Sequence, residues 1–266
     1  MAKGTRKKTG AKKSAGSAKP ARSAKVVQLR PVATGSNLEK RLAQVEHELG
    51  ILQDKEAIES LHYKYGYYID KCMWVEAVDL FADNCEVHFA NGIYRGKAGA
   101  HRLYVGWFQK LFTGGYNGPI YGFLLDHMMF QFIIDVAADR KTAKARGRGF
   151  LIGGIHHTKK DRIVGVPDQF FEGGVYENEY VKENGIWKIK VLNYNLTFQA
   201  DFEKGWKNDE AHIPPLTKTY PEDPNGPDEI TKEIPYAWPK TRVVPFHYPH
   251  PVTGKMWKGK VKGIGK

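Results

Sequence analysis

Cysteine is scarce in this chain: Cys72 and Cys85 are the two among 266 residues, and they lack CxxC spacing. That excludes a disulfide framework and a thiolate metal cluster, and leaves two free thiols, neither in a setting that marks a nucleophile. Long apolar runs are missing too. No stretch approaches the ~18 residues of a membrane span, and no apolar h-region follows the basic start, so the expectation is a cytoplasmic protein without a secretory leader. Acid is absent from the opening, where ten Lys and Arg lie between Lys3 and Arg30 and Glu39 is the first carboxylate. Of the net charge of +12 only +2 belongs to everything after that tail, so the high pI does not describe a basic globule.

Cofactor signatures are also lacking. The pairs Gly114-Gly115, Gly153-Gly154 and Gly173-Gly174 fit no phosphate loop or dinucleotide fingerprint, and there is no nucleophile elbow. His156 and His157 with Asp161 make a poor metal set, because adjacent strand residues point to opposite faces and the surrounding lysines repel a cation. The expectation is no metal and no cofactor, leaving proton transfer as the available chemistry.

The tail, residues 1–36, is built from Lys, Ala, Gly and Ser and cannot bury enough surface to offset its ordering entropy, so it should be disordered. Basic arms of this kind touch nucleic acid through phosphates. The absence of an interleaved aromatic to stack on bases argues against that partner here and for a solubilising tail.

What the chain does have is phenol. The run LHYKYGYYIDKCMW, Leu61 to Trp74, places Tyr63, Tyr65, Tyr67 and Tyr68 on one expected helix and ends near a lone carboxylate, Asp70. Ile58, Leu61, Tyr65, Tyr68 and Ile69 share a face at helical period. Buried phenols need hydrogen-bond partners, so the segment reads as a pocket wall, or else as core filling satisfied by backbone. Before it, Leu38, Leu42, Val45, Leu49 and Leu52 form a short apolar seam that should pack on the domain or on a neighbouring subunit. Asp54 then reads as the N-cap of a second helix.

A helix over Trp74, Ala77, Val78 and Phe81 follows, stopped by Asp83-Asn84. A hairpin about Asn91-Gly92 and a helix over about Ala98 to Phe112, carrying Trp107, come next. Four long strands are then expected: Tyr121 to Val136, Thr142 to Gly154, Gln169 to Lys182 and Ile186 to Gln199. Helices first and an antiparallel meander second make an α+β plan. In the strand Ala143 to Gly149 small residues alternate with Lys144, Arg146 and Arg148, leaving one sheet face bare for a ligand or for tight packing. His127 stands alone in the apolar stretch LLDHMMFQFII, either as a hydrogen-bonded core residue or as an acid-base group facing the tyrosine helix. Beyond Phe202 the chain is rich in Pro and aromatics (Tyr220, Tyr236, Trp238, Phe246, Tyr248, Trp257) and should lie against the protein as a cap or a clasp on a neighbour.

The run LEKRLAQVEHELGILQDKEAIESLHYKYGYYIDKCMW resembles the opening of SnoaL-like proteins of the nuclear-transport-factor-2-like superfamily. It is similar to the bile acid 7-alpha-dehydratases, more distantly to scytalone dehydratases, and more weakly to bacterial lignin-derived diarylpropane lyases. The resemblance covers about Leu38 to Phe202. It implies a cone-shaped α+β barrel with helices packed on a strongly curved antiparallel sheet, domain limits of 37–202 with a long extension over 203–266, and a cytoplasmic homo-oligomer, a trimer. It also implies a cofactor-free lyase that uses Tyr65, Asp70 and His127. Asn195 and Leu196 stand where the bile acid enzymes carry an arginine, which departs from that pattern.

The reaction this resemblance implies is loss of water and formaldehyde from a phenolic diarylpropane diol, through a quinone methide, to give a stilbene. His127 or Tyr65 would assist departure of the hydroxyl. Asp70 would orient His127 or take a proton from the hydroxymethyl group, and Tyr68, Trp107, Tyr194 and Asn195 would hold the rings. A plain dehydratase of an aromatic or polycyclic substrate, and a non-catalytic ligand- or partner-binding module, are the alternatives.

Overall fold

The computed structural model describes residues 35–163, 165–209, 214–232 and 237–259, so most of the basic tail lies outside the described residues. Two compact units are distinguished, Met1–Ala43 and Gln44–Lys266. The first contributes the opening turns of α1 (Gly35–Asp70), and the second holds the sheet and the site. Among the described residues no helix is long and apolar enough to cross a membrane.

α1 is one helix where two were expected. Asp54 caps nothing: its carboxylate is buried inside the helix span, where it accepts hydrogen bonds from Arg140 Nε (2.6 Å), Lys182 Nζ and Trp187 Nε1 (3.0 Å). A carboxylate with three such partners has no need of the backbone, so the helix runs through it. Gly50, one turn earlier, leaves the room in which the Arg140 guanidinium lies, since a Cβ there would overlap it. Of the apolar seam, Val45, Leu49 and Leu52, which belong to the second unit, are exposed rather than packed on the domain, which corrects that expectation for them.

α2 (Trp74–Asp79) is shorter than expected because β1 (Phe81–Phe89) begins where the helix was meant to end. β2 (Gly92–Arg95) returns antiparallel, with Phe89 opposite Gly92. The turn residues are thus Ala90 and Asn91, and the positive φ falls on Ala90. Gly92 is small for another reason: a Cβ there would strike Leu216 and Pro227. α3 (Gly96–His101), a π-helical segment (Arg102–Phe108) and α4 (Gln109–Thr113) follow as one winding rod.

The four long strands are β3 (Phe123–Val136), β4 (Thr142–Ile155), β5 (Gln169–Glu183) and β6 (Ile186–Asp201). After α5 (Gly205–Asn208), β7 (Glu229–Ile230) completes an unclosed sheet of order β3-β4-β5-β6-β1-β2-β7. The sheet is mixed rather than antiparallel throughout, because β1 pairs parallel with β6. Parallel neighbours need a long crossover, and the α3–α4 rod begins it. Bulges between Phe130 and Ile133, Gly173 and Gly174, and Glu179 and Tyr180 bend the strands, which is how a sheet curves around a helix.

Register decides which side chains face α1. His127, Leu151, Glu172 and Gln199 form one row across β3 to β6, and Ala145 and Asn178 belong to another on the same side. The bare residues do face inward, but rings occupy the space: Phe132 lies over Gly147 and Tyr176 over Gly149. Tight packing is therefore what the small residues allow.

The extension packs on its own domain. Leu216 N–H donates to Asn91 Oδ1 (2.8 Å), and Asp228 accepts the Arg95 backbone N–H (2.7 Å). Further on, Val244 and Pro245 carbonyls accept from Arg146 Nη2, and His247 lies between Glu177 and Asp135. Arg146 and Glu177 sit on the sheet face opposite His127, so this part of the extension does not cover the interior.

The Asp54 clamp makes a prediction. Burial alone would raise its carboxyl, but the hydrogen bonds from Arg140, Lys182 and Trp187 outweigh it and hold it at about 2. With the folded value below the ordinary carboxylate range, this stabilisation is full above about pH 4 and is lost as pH falls toward 2; the shift corresponds to about 2 kcal/mol. Asp54→Asn should cost about 3 kcal/mol in urea unfolding at neutral pH, because two cations lose their buried partner, and should flatten stability between pH 4 and 2.

Candidate active site

Asp70 is the last residue of α1 and is buried. A carboxylate there faces the negative end of the helix dipole, which disfavours it unless donors are close. Both donors come from one residue of β3. Asp70 Oδ1 accepts the backbone N–H of His127 at 2.6 Å and its ring Nδ1–H at 2.9 Å. A carboxylate only accepts, so the proton sits on Nδ1 and Nε2 of the neutral ring carries the free lone pair. No group among the described residues hydrogen bonds Nε2. The imidazole keeps 15% exposure against 5% for the Asp70 side chain, so the ring is reachable while its anchor is not.

Tyr65 is buried one turn before Asp70 but does not join this pair. Its hydroxyl meets that of Tyr104, from the π segment, at 2.7 Å. The rings of Tyr176 on β5 and Tyr194 on β6 lie 4.7 Å apart, tilted by 40°. Burial pushes all four phenols above the ordinary tyrosine range, so they act as protonated donors.

Tyr194 has a second partner that sequence reasoning missed. Its hydroxyl donates to Glu172 Oε1 (3.1 Å), and Gln199 Nε2 donates to Oε2 (2.9 Å). Glu172 is buried, and burial raises its carboxyl against the lowering effects of His127 and these two donors. Gly174 makes the arrangement possible: a Cβ there would lie 2.3 Å from the Tyr194 ring, so the ring rests directly on β5. The available signal was alternation, because Glu172, Gly174, Tyr176, Asn178 and Tyr180 line one strand face with no aliphatic residue among them.

The other expected residues are dispersed. Tyr68 is half-buried against the core. Trp107 packs on Phe89 and Phe108, and Phe108 in turn on Tyr104, without reaching His127. Asn195 points to the opposite sheet face, where Arg242 Nη2 donates to its Oδ1 at 2.6 Å. His62, also unforeseen, is fully buried with Nδ1 3.0 Å from the Tyr180 hydroxyl, and burial pushes it down to about 3, so it stays neutral. Burial also pushes the Cys72 thiol up to about 12 and Cys85 to about 11, which fits two unreactive thiols.

Two surface depressions, of about 450 and 560 Å3, lie elsewhere. Lys55, Glu59 and Phe132 border the first, Thr142, Tyr180 and His247 the second; neither touches Asp70 or His127. No group of three His, Cys, Asp or Glu among the described residues is arranged to hold a metal.

The family model of the SnoaL-like domain matches residues 50–193, which include Asp70, His127 and Glu172. No curated protein matches the chain. Among solved structures, the "Putative Scytalone Dehydratase" of Novosphingobium aromaticivorans DSM 12444 is 24% identical over 57% of this chain and 90% of its own, with a TM-score of 0.45. Hexachlorocyclohexane dehydrochlorinase LinA-type3 from Novosphingobium barchaimii LL02 is 18% identical over 63% and 99%, with a TM-score of 0.46. ActVI-ORFA from Streptomyces coelicolor is 11% identical over 53% and 96%, at 0.41. At these values none of them bears on the reaction.

Gly174→Ala should displace the Tyr194 ring and break its hydrogen bond to Glu172. A loss of about 1–3 kcal/mol in thermal unfolding is expected, with a changed near-ultraviolet tyrosine dichroism.

Proposed function

The chain belongs to the SnoaL-like domain family, and from that premise we propose that it is a cofactor-independent lyase acting on a hydroxylated phenolic compound. The observation that carries the reading is the Asp70–His127 pair, a fixed imidazole whose Nε2 has no hydrogen-bond partner among the described residues, in a domain whose core also holds four protonated phenols. Such a pair can take and return one proton, and aromatic side chains suit an aromatic ligand.

The substrate class that uses this equipment most fully is a diarylpropane diol with a para-hydroxyl on one ring. Its phenol supplies the electrons that expel the benzylic hydroxyl as water, giving a quinone methide that serves as the electron sink. Removal of the hydroxymethyl O–H proton then breaks the C–C bond, releases formaldehyde and returns the electron pair to the ring. The phenolic proton lost in the first step is regained in the second, so the products are a stilbene, water and formaldehyde.

Within this scheme Asp70 holds the tautomer and orientation of His127, and Nε2 exchanges the proton. One of the Tyr65 and Tyr104 hydroxyls donates to the other, which leaves one proton of that protonated pair for the oxygen that gathers negative charge. A plain dehydratase is the second reading, favoured by the fact that Asp70 and His127 alone suffice to move the single proton that dehydration requires.

Full-length protein should convert such a diol with formaldehyde in stoichiometric yield and a new conjugated absorbance. His127→Ala and Asp70→Asn should each lower kcat by about 10²-fold or more with folding intact. An alkene without formaldehyde would select plain dehydration. Near wild-type turnover by both variants would remove the proposed roles.

A further inference from the structure

The two proton events of that reaction differ in sign. A proton must reach the departing hydroxyl, and one must leave the hydroxymethyl. In the neutral tautomer that Asp70 sets, His127 offers a lone pair at Nε2 for the second and has no proton there for the first. The row that carries His127 across the sheet contains one other acid-base side chain, Glu172 on β5, with Leu151 between them. Two strand spacings separate the pair at the backbone, about 10 Å, and both side chains project from the same face.

Glu172 is not arranged as a structural ion-pair member. Both hydrogen-bond donors to it are neutral, Tyr194 to Oε1 and Gln199 to Oε2, and among the described residues no Lys or Arg forms a salt bridge with it. Asp54, by contrast, has Arg140 and Lys182. Burial raises this carboxyl against the lowering effects of His127, Tyr194 and Gln199, so its proton is held more firmly than that of an exposed glutamic acid. Its ring neighbour is placed by the absence of a side chain at Gly174, so the position of the carboxyl is built into the strand.

We propose that Glu172 is the general acid of this site and His127 its base, acting from opposite ends of the row over Leu151. This rests on the lyase reading above. Protonated Glu172 gives its proton to the benzylic oxygen as the C–O bond breaks, and water leaves. Neutral His127 takes the hydroxymethyl proton at Nε2 as the C–C bond breaks, and formaldehyde leaves. Glu172 is then a carboxylate and His127 an imidazolium, and one proton passing between them through solvent restores both.

The experiment compares two substrates with the full chain: the diol, and its benzylic acetate, whose leaving carboxylate needs no proton. Glu172→Gln keeps the shape and the Tyr194 contact but has no proton to give. It should lower kcat on the diol by about 10²-fold and stay within several-fold of wild type on the acetate, whereas His127→Ala should fail on both. Wild-type turnover of the diol by Glu172→Gln, or equal loss on both substrates, would overturn the assignment while leaving the lyase reading in place. A wild-type protein inactive on both substrates would remove the lyase reading and the assignment with it.

Discussion

Two buried carboxylates fasten one helix to the sheet, and the rest of the domain depends on them. Asp54 binds the β3–β4 turn through Arg140, β5 through Lys182 and β6 through Trp187. Asp70 binds β3 through both nitrogens that His127 offers on that side. Roughly 24 Å of helix lies between these anchors, and that stretch presents Ile58, His62, Tyr65 and Ile69 to the concave face. With both ends fixed by ionic hydrogen bonds, the helix can carry polar rings inward instead of relying on aliphatic packing alone.

The two anchors differ in what remains free. Among the described residues the partners of Asp54 are two cations and an indole N–H. Asp70 spends one oxygen on a residue that is itself titratable, and in doing so decides which nitrogen of that residue faces outward. The same interaction that ties β3 to α1 therefore sets the tautomer of His127. On the proposed reading, structural and chemical roles coincide at this contact.

Much of this was legible in the sequence. The strands β3 to β6 follow from alternation, and Arg140, Asn184 and Gly185, which lie between the expected strands, take the positive φ of turn residues. Asp70 stood out as the carboxylate that ends the tyrosine run and His127 as the one histidine of its strand. What could not be read was long-range pairing. Asp54 has the spacing of a cap, and only its contacts with residues some 86 to 133 positions away show it to be an anchor. The β1–β6 parallel pairing and the Tyr65–Tyr104 bond are likewise set by how distant segments meet. Glu172 sat in a strand already recognised, but its importance depends on the row it shares with His127, which only register reveals.

The account rests on the protonation of a single ring, and nitrogen-15 nuclear magnetic resonance of the histidines in the full chain measures it directly. At a pH where the ring is neutral, His127 should show a protonated Nδ1 and a bare Nε2, and Asp70→Asn should erase that preference. A proton held on Nε2, or a tautomer mixture unaffected by Asp70→Asn, would contradict it.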